Sequence, residues 1–300
     1  FLAVADIAAV NGSLDLTQLA GARITAAAAV FIVLAAFSKS AIFPFSTWLP
    51  DAGVAPSPVT ALLHAAVLVK IGVFAFAKIS LFLVFDIDIM LLVMYVAGIS
   101  SLIAGGAALK ETNIKRVIAY STISQLGFIF LGIACGGAGL MAAMLFILMH
   151  GVAKGGLFLC AGIIEHKTHT KDITQMGGLA KALPVTAVCF GFCALSVMGV
   201  PPFGGFYAKF GVFEAAAGAP WPVLTIFASA AVFTIAYLTR LFYIIFLAAP
   251  VKEYAKDAPE APAQMLISVA VLAALALLSG LFIKYPLSYL WDVLPLGGAL

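Results

Sequence analysis

Eight ionisable side chains interrupt long apolar runs: Lys39, His64, Lys70, His150, Lys154, Lys209, Glu214 and Arg240. Lysine and histidine suit proton transfer, because burial disfavours the charged form of a lysine and lets a neighbouring charge decide whether the proton stays. In a bilayer, a charge at the centre of a span costs about 2.5 to 3.5 kcal/mol, so Lys39, Lys70, Lys154 and Lys209 together represent roughly 10 kcal/mol or more of unfavourable insertion. A purely structural helix gains nothing from that.

The spacing separates these residues. His150 and Lys154 stand i, i+4, which stacks them on one helix face about 6 Å apart along the axis. Lys70 lies about a third of the way round the helix from His64. Lys39 is deep in its run beside a helix break, where the alternative is a snorkelling ammonium or an ion pair. Arg240 keeps its charge at every working pH, so a structural pairing is expected, with Glu214 as one candidate. His166 and His169, in EHKTHTKD, read as solvated surface residues. Tyr120, Ser121, Ser124 and Gln125 either hold water between the titratable groups or glue helices together.

The energies suit a pump. Lowering a lysine's proton affinity a thousandfold takes about 4 kcal/mol. Moving one proton against about 150 to 200 mV takes roughly 3.5 to 4.6 kcal/mol. A charge brought to within about 4 Å at an effective dielectric of 20 contributes about 4 kcal/mol. Switching charges along a Lys/His row can therefore drive protons with no redox centre in this chain.

The elements that position these groups are membrane spans. Of the 300 residues, 64% are hydrophobic and 10% charged, against roughly a quarter charged in soluble domains. Apolar runs of about 20 residues recur along the chain. Eight spans are expected, near 22 to 45, 57 to 78, 87 to 109, 117 to 136, 140 to 164, 182 to 218 with a break, 221 to 248, and 263 to 284. The opening FLAVADIAAVNG would rise only about 18 Å as a helix, too short to span, which suggests numbering that begins inside a longer protein. Lys110, Lys115, Arg116, Lys167, Lys171, Lys181, Lys252 and Lys256 make one set of loops basic, against Arg23, Lys78 and Lys284 on the other; the basic side should be cytoplasmic. The net charge of +3 is small and the basic residues outside the spans sit in short loops, so nucleic acid is not an expected partner. Cys135, Cys160, Cys189 and Cys193 lack CxxC spacing and read as core residues.

Two spans carry helix breakers at membrane depth. Pro44 follows Lys39, and Pro201-Pro202-Phe203-Gly204-Gly205 precedes Lys209. Proline removes a backbone donor, so both should be discontinuous helices, a pattern of internal repeats in transporters.

Four segments, SKSAIFPFSTWLPDAGVAPSPVTALLHAAVLVKIGVF, NIKRVIAYSTISQLGFIFLG, LFILMHGVAKGGLFLCAGII and ALSVMGVPPFGGFYAKFGVFEAA, resemble the antiporter-like subunits shared by respiratory complex I, Mrp sodium/proton antiporters and energy-converting hydrogenases. The likeness covers most of residues 22 to 248, in order. It implies that Lys39 is the lysine of the first broken helix, paired with a glutamate two helices earlier; here that helix would precede Phe1. It further implies roles for His64, for Lys115 as the basic turn residue, for His150 and Lys154 as the central pair, and for Lys209 as the exit lysine. Lys70 beside His64 looks like the Mrp and hydrogenase-type pattern. Phe146 stands where some members have a further histidine, and Phe210 where some have an acidic residue.

The resulting expectation is an all-α polytopic transmembrane helix bundle with two discontinuous helices and inverted-repeat character. Residues 1–300 would form a single transmembrane domain lacking the N-terminal helices of the full family fold. The expected function is proton translocation, within a redox-driven pump related to NADH:quinone oxidoreductase or to energy-converting hydrogenase. Its partners would be other membrane subunits, protons and the lipid of a prokaryotic inner membrane, with no cofactor or metal of its own. The alternative is membership of an Mrp-type antiporter that exchanges sodium for protons. A haem-binding anchor using His64 and His150, and a non-conducting scaffold, are rivals of other classes.

Overall fold

The computed structural model describes residues 1–251 and 260–293. Lys252 and Lys256 lie outside the described residues. The described residues are mostly helical, with α1 (Leu2–Asn11), α2 (Ala26–Lys39), α3 (Trp48–Asp51), α4 (Ser57–Thr60), α5 (Leu68–Phe82), α6 (Ile87–Lys110) and α7 (Ile114–Ala134) in the first half. Then come α8 (Gly137–Thr168), α9 (Pro184–Met198), α10 (Gly204–Ala215), α11 (Trp221–Phe242), α12 (Ala263–Leu281) and α13 (Lys284–Val293). Two-residue strands, Ala22–Arg23 and Leu83–Val84, pair in parallel at one end.

Among the described residues, six helical stretches of 19 to 32 residues are long and apolar enough to cross a bilayer. A 21-residue helix rises about 32 Å, close to the hydrocarbon thickness. The other two expected spans are the broken ones, whose first halves α2 and α9 have 14 and 15 residues.

Local chemistry fixes the helix ends. Asn113 Oδ1 accepts from the Lys115 and Arg116 amides at the start of α7, Asp86 caps α6, and Thr25 caps α2. Pro184 opens α9, where its missing N–H has no intrahelical partner to lose. Helix α9 stops at Gly199, whose φ of 83° suits a residue without Cβ.

Both breaks are present. The first helix ends at Lys39, Ala41 adopts φ 53°, and helix resumes at Trp48. The second ends at Met198 and resumes at Gly204. The Phe43–Pro44 and Pro201–Pro202 peptides are cis. A π-helical turn over Ala61–Ala66, which the apolar pattern does not signal, surrounds His64 and joins α4 to α5.

Helix α7 is central: nearly every residue from Ile114 to Ala134 is buried, beneath α6, α8, α10 and α11. The basic loops meet at one end, where the Ile114 amide donates to Lys171 O and the Ile173 amide to Thr112 O, both at 2.9 Å. All four cysteines are free thiols, and Cys160, Cys189 and Cys193 are buried.

Candidate functional site

Six of the seven site residues expected from sequence are buried: His64 and Lys154 at 0% exposure, His150 and Lys115 at 2%, Lys70 at 5% and Lys209 at 6%. Lys154 points from α8 into α7. Its Nζ donates to the Ile118 carbonyl at 3.1 Å and to Ser121 Oγ in a short contact. His150, one turn earlier, has neither ring nitrogen bonded to protein, and its ring faces Phe146 at 6.3 Å between centroids. The charges of Lys70, Lys154 and Lys209 all act on it. His64 also has both ring nitrogens unpartnered within the protein, and packs edge-on against Phe158 at 5.1 Å.

Lys70 approaches the row from α5, with its Nζ buried and without a protein partner. It lies against Gly151, directly after His150; a Cβ at Gly151 would stand 2.8 Å from Lys70 Nζ. Helical position alone did not unite Lys70 with His150. Tertiary packing does.

Lys209 does two things. Its Nζ donates to Val197 O at 2.9 Å and to Met198 O at 3.3 Å, taking up carbonyls freed where α9 stops. It also lies 5.1 Å from the Phe128 ring centroid and 6.0 Å from that of Phe146, within cation–π range. Phe146 thus lines the space between Lys209 and His150.

Two sequence-predicted site residues stand apart. Lys39 is exposed, on a stripe of α2 with Phe31, Leu34, Ala35 and Ser38 that no described residue covers. Its depth in the apolar run placed it correctly along the helix but could not report which face it occupies. Lys115 sits at the basic end, paired with Glu165 Oε2 at 2.8 Å and donating to Ala55 O at 3.2 Å. It ties α7 to α8 and to the loop before α4, and Lys171 reaches the other Glu165 oxygen at 3.5 Å.

The Arg240 pairing is also corrected. Its Nη1 donates to the Glu111 backbone carbonyl at 3.1 Å, whereas Glu214 is exposed on α10. Arg240 lies in the last turn of α11 beside the basic loops, so the Glu111 carbonyl comes within its reach. Glu111 itself binds Arg116 Nε at 2.9 Å, and Arg116 Nη1 reaches Asp51 at 2.7 Å. Burial pushes the Glu111 carboxyl up, but hydrogen bonds from the Asn113 amide, Arg116 and the Thr112 amide outweigh it and hold it below the usual carboxylate range. His166 and His169 line an open cavity of about 910 Å³ at this end, with Glu165, Lys171 and Asp172.

The polar face of α7 divides. Ser121 belongs to the Lys154 site. Gln125 Nε2 instead donates to Thr234 Oγ1 at 3.0 Å and Tyr237 OH at 3.4 Å, joining α7 to α11. Ser101 Oγ donates to Ser124 O at 2.9 Å. Thr234, Tyr237 and Glu165 were missed by sequence reasoning. The signal for the first two was a polar pair at i, i+3 in the otherwise apolar AAVFTIAYL. Among the described residues, no group of three or more His, Cys, Asp or Glu side chains is placed to hold a metal.

Residues 1–234 match the family described as NADH:quinone oxidoreductase/Mrp antiporter, TM. A Na(+)/H(+) antiporter subunit of Bacillus subtilis is 36% identical over 298 residues, covering 90% of this chain and 37% of the relative. An NADH-quinone oxidoreductase subunit of Mycobacterium tuberculosis is 35% identical over 266 residues, covering 87% of this chain and 42% of the relative. A chain in the structure of the Mrp complex from a Dietzia species matches with a TM-score of 0.84 at 26% identity, over 96% of this chain and 63% of that one. A chain of the membrane-bound sulfane sulfur reductase, an archaeal respiratory membrane complex, matches with a TM-score of 0.85 at 26% identity, over 99% of this chain and 63% of that one. The chain therefore spans less than half the length of these two curated relatives.

Proposed function

This chain belongs to the NADH:quinone oxidoreductase/Mrp antiporter transmembrane family, and on that premise we propose that it translocates protons across a prokaryotic cytoplasmic membrane within a multi-subunit complex. The observation that carries the reading is the buried row of His64, Lys70, His150, Lys154 and Lys209, which costs insertion energy and leaves both imidazoles free to exchange protons. Lys154 holds a proton against Ser121 and the Ile118 carbonyl. When Lys70 or Lys209 is charged, repulsion favours its release toward His150; at about 4 Å and an effective dielectric of 20 such a charge contributes about 4 kcal/mol. Lys209 discharges on the face opposite the basic loops, once its hold on Val197 and Met198 breaks. Lys39 and Lys115 lie apart from this row. Lys39 serves a neighbouring element that covers its exposed stripe, with a carboxylate from another helix as its partner, as the family resemblance implies. Lys115 fixes the surface loops.

The drive comes from other subunits of a complex-I-related pump. A second reading, exchange of sodium for protons within an Mrp-type assembly, draws support from the 36% identity to a Na(+)/H(+) antiporter relative and from the buried Lys70. Proton movement in vesicles carrying the assembled complex tests both. Lys154→Met should abolish it without reducing assembly; a variant that transports at the parental rate overturns the relay. Proton movement that requires a sodium gradient selects the exchange reading, and movement indifferent to sodium rejects it.

A further inference from the structure

From Lys154 to Lys209 the two walls of the row differ. On α8 the wall is aromatic: the Phe146 ring stands 6.3 Å from the His150 ring and 6.0 Å from Lys209 Nζ, and a phenyl ring has no proton to exchange. On α7 it is polar. Ile118, Ser121, Gln125 and Phe128 follow at i, i+3, i+7 and i+10, which is one stripe of the helix. Lys154 bonds the first two, and Lys209 lies 5.1 Å from the ring of the last. Gln125 falls between them, about 6 Å along the axis from Ser121 and about 4.5 Å from Phe128. It is fully buried.

The hydroxyls of α11 fix which way the Gln125 amide lies. Thr234 has one hydroxyl proton and gives it to the Ala230 carbonyl at 2.9 Å. Its oxygen can then only accept, from Gln125 Nε2 at 3.0 Å and from Tyr237 OH at 3.4 Å. Tyr237 directs its proton there, so it too accepts from Gln125 Nε2, at 3.4 Å. The nitrogen is therefore held on α11, and Gln125 Oε1 is left as a buried acceptor that none of the described residues bonds. The neighbouring Ser124 Oγ is buried and unbonded in the same way. Joining α7 to α11 needs only the nitrogen, whereas a buried oxygen is costly unless something donates to it, and a polar site of this kind suits a water. We propose that Gln125 is a positioning residue for proton transfer from Lys154 to Lys209: α11 pins the amide so that its oxygen orients a water molecule, which carries the proton along α7 past Phe146. The proposal rests on the relay described above.

The test compares two variants of the full chain in its assembled complex, with proton transport read in vesicles. Thr234→Val and Gln125→Met both break the Gln125–Thr234 bond, but only Gln125→Met removes the amide oxygen. If the amide merely joined the helices, the two would slow transport alike. A positioning role predicts a rate about tenfold lower in Gln125→Met, the size of one hydrogen bond at the upper end of its range. Thr234→Val should lose less, because Tyr237 still holds the nitrogen. The ratio of rates in light and heavy water should also rise in Gln125→Met and keep its parental value in Thr234→Val, since a slowed proton transfer responds to the isotope and a loosened helix contact does not. Equal rates in the two variants, or an unmoved isotope ratio in Gln125→Met, overturn the inference. If Gln125→Met does not assemble, Gln125→Asn, whose shorter amide cannot reach both α11 and the row, takes its place under the same criteria. A Lys154→Met complex that still transports would defeat the relay itself. An inactive Lys154→Met beside equal rates in the other two variants defeats only this inference.

Discussion

Replacing Lys209 separates its two tasks. Its ammonium bonds the carbonyls of Val197 and Met198, at 2.9 and 3.3 Å, at the C-terminal end of a half-helix inside the bundle. In Lys209→Met those carbonyls lose their donor, at about 1 to 3 kcal/mol for each group left unsatisfied. The ring contact with Phe128 at 5.1 Å is lost as well, about 0.5 to 2 kcal/mol more. The variant should therefore be less stable by roughly 2.5 to 8 kcal/mol, with the break between α9 and α10 loosened. Lys209→Arg keeps a cation and its donors, and should recover at least half of that loss. It should not recover transport, since guanidinium does not release its proton. Glu214→Gln should be mild in both respects, because Glu214 is exposed and outside these contacts. Stability is read by denaturant unfolding in detergent, and transport by acidification of vesicles carrying equal amounts of complex. A Lys209→Met protein as stable as the parent would refute the capping argument. A Lys209→Arg protein that pumps at the parental rate would refute proton release from this residue.

Gly151→Ala should slow transport about tenfold, equivalent to 1.4 kcal/mol, because its Cβ would stand 2.8 Å from Lys70 Nζ and displace it; Gly106→Ala, with nothing within 4 Å, should be silent, and equal rates for the two variants would count against a role for Lys70. Glu111→Gln should weaken the protein near neutral pH. The folded-state affinity of Glu111 for its proton is lowered, so its contribution is present above the ordinary carboxylate value of 4.5 and lost as pH falls through the lower folded value. The difference from the parent should thus close in acid, and a gap that widened there would contradict the assignment.

What the sequence disclosed depended on whether a property is local. The His150–Lys154 pair follows from i, i+4 geometry, and the interruptions near Pro44 and Pro201 follow from missing backbone donors; each needs only one stretch of chain. The exposure of Lys39, the approach of Lys70 to Gly151 and the Glu111 partner of Arg240 depend on how helices distant in sequence pack. Glu165 shows the same limit: its pairing with Lys115 spans α7 and α8, and nothing in EHKTHTKD distinguishes it from a solvated acid. The π-helical turn at His64 lies in an apolar run, ALLHAA, whose composition fits an ordinary helix equally well.

The two breaks show how one backbone device acquires different chemistry. Each interrupts a membrane-depth helix and leaves carbonyls that must find donors, since lipid offers none. At the first break the Ser38 carbonyl accepts from the Trp48 indole at 3.3 Å, and the Phe43 amide donates to Ser100 Oγ at 3.0 Å. These partners are neutral, and the indole has no proton to release at working pH. Lys39, freed from that work, points outward. At the second break the donor is Lys209 itself, so satisfying the backbone and holding a proton are one act. Losing the proton would remove an ammonium from two helix-terminal carbonyls and weaken the junction of α9 with α10. Protonation and local conformation are thereby linked at this junction, whereas the first break can keep its shape whatever the charge on Lys39.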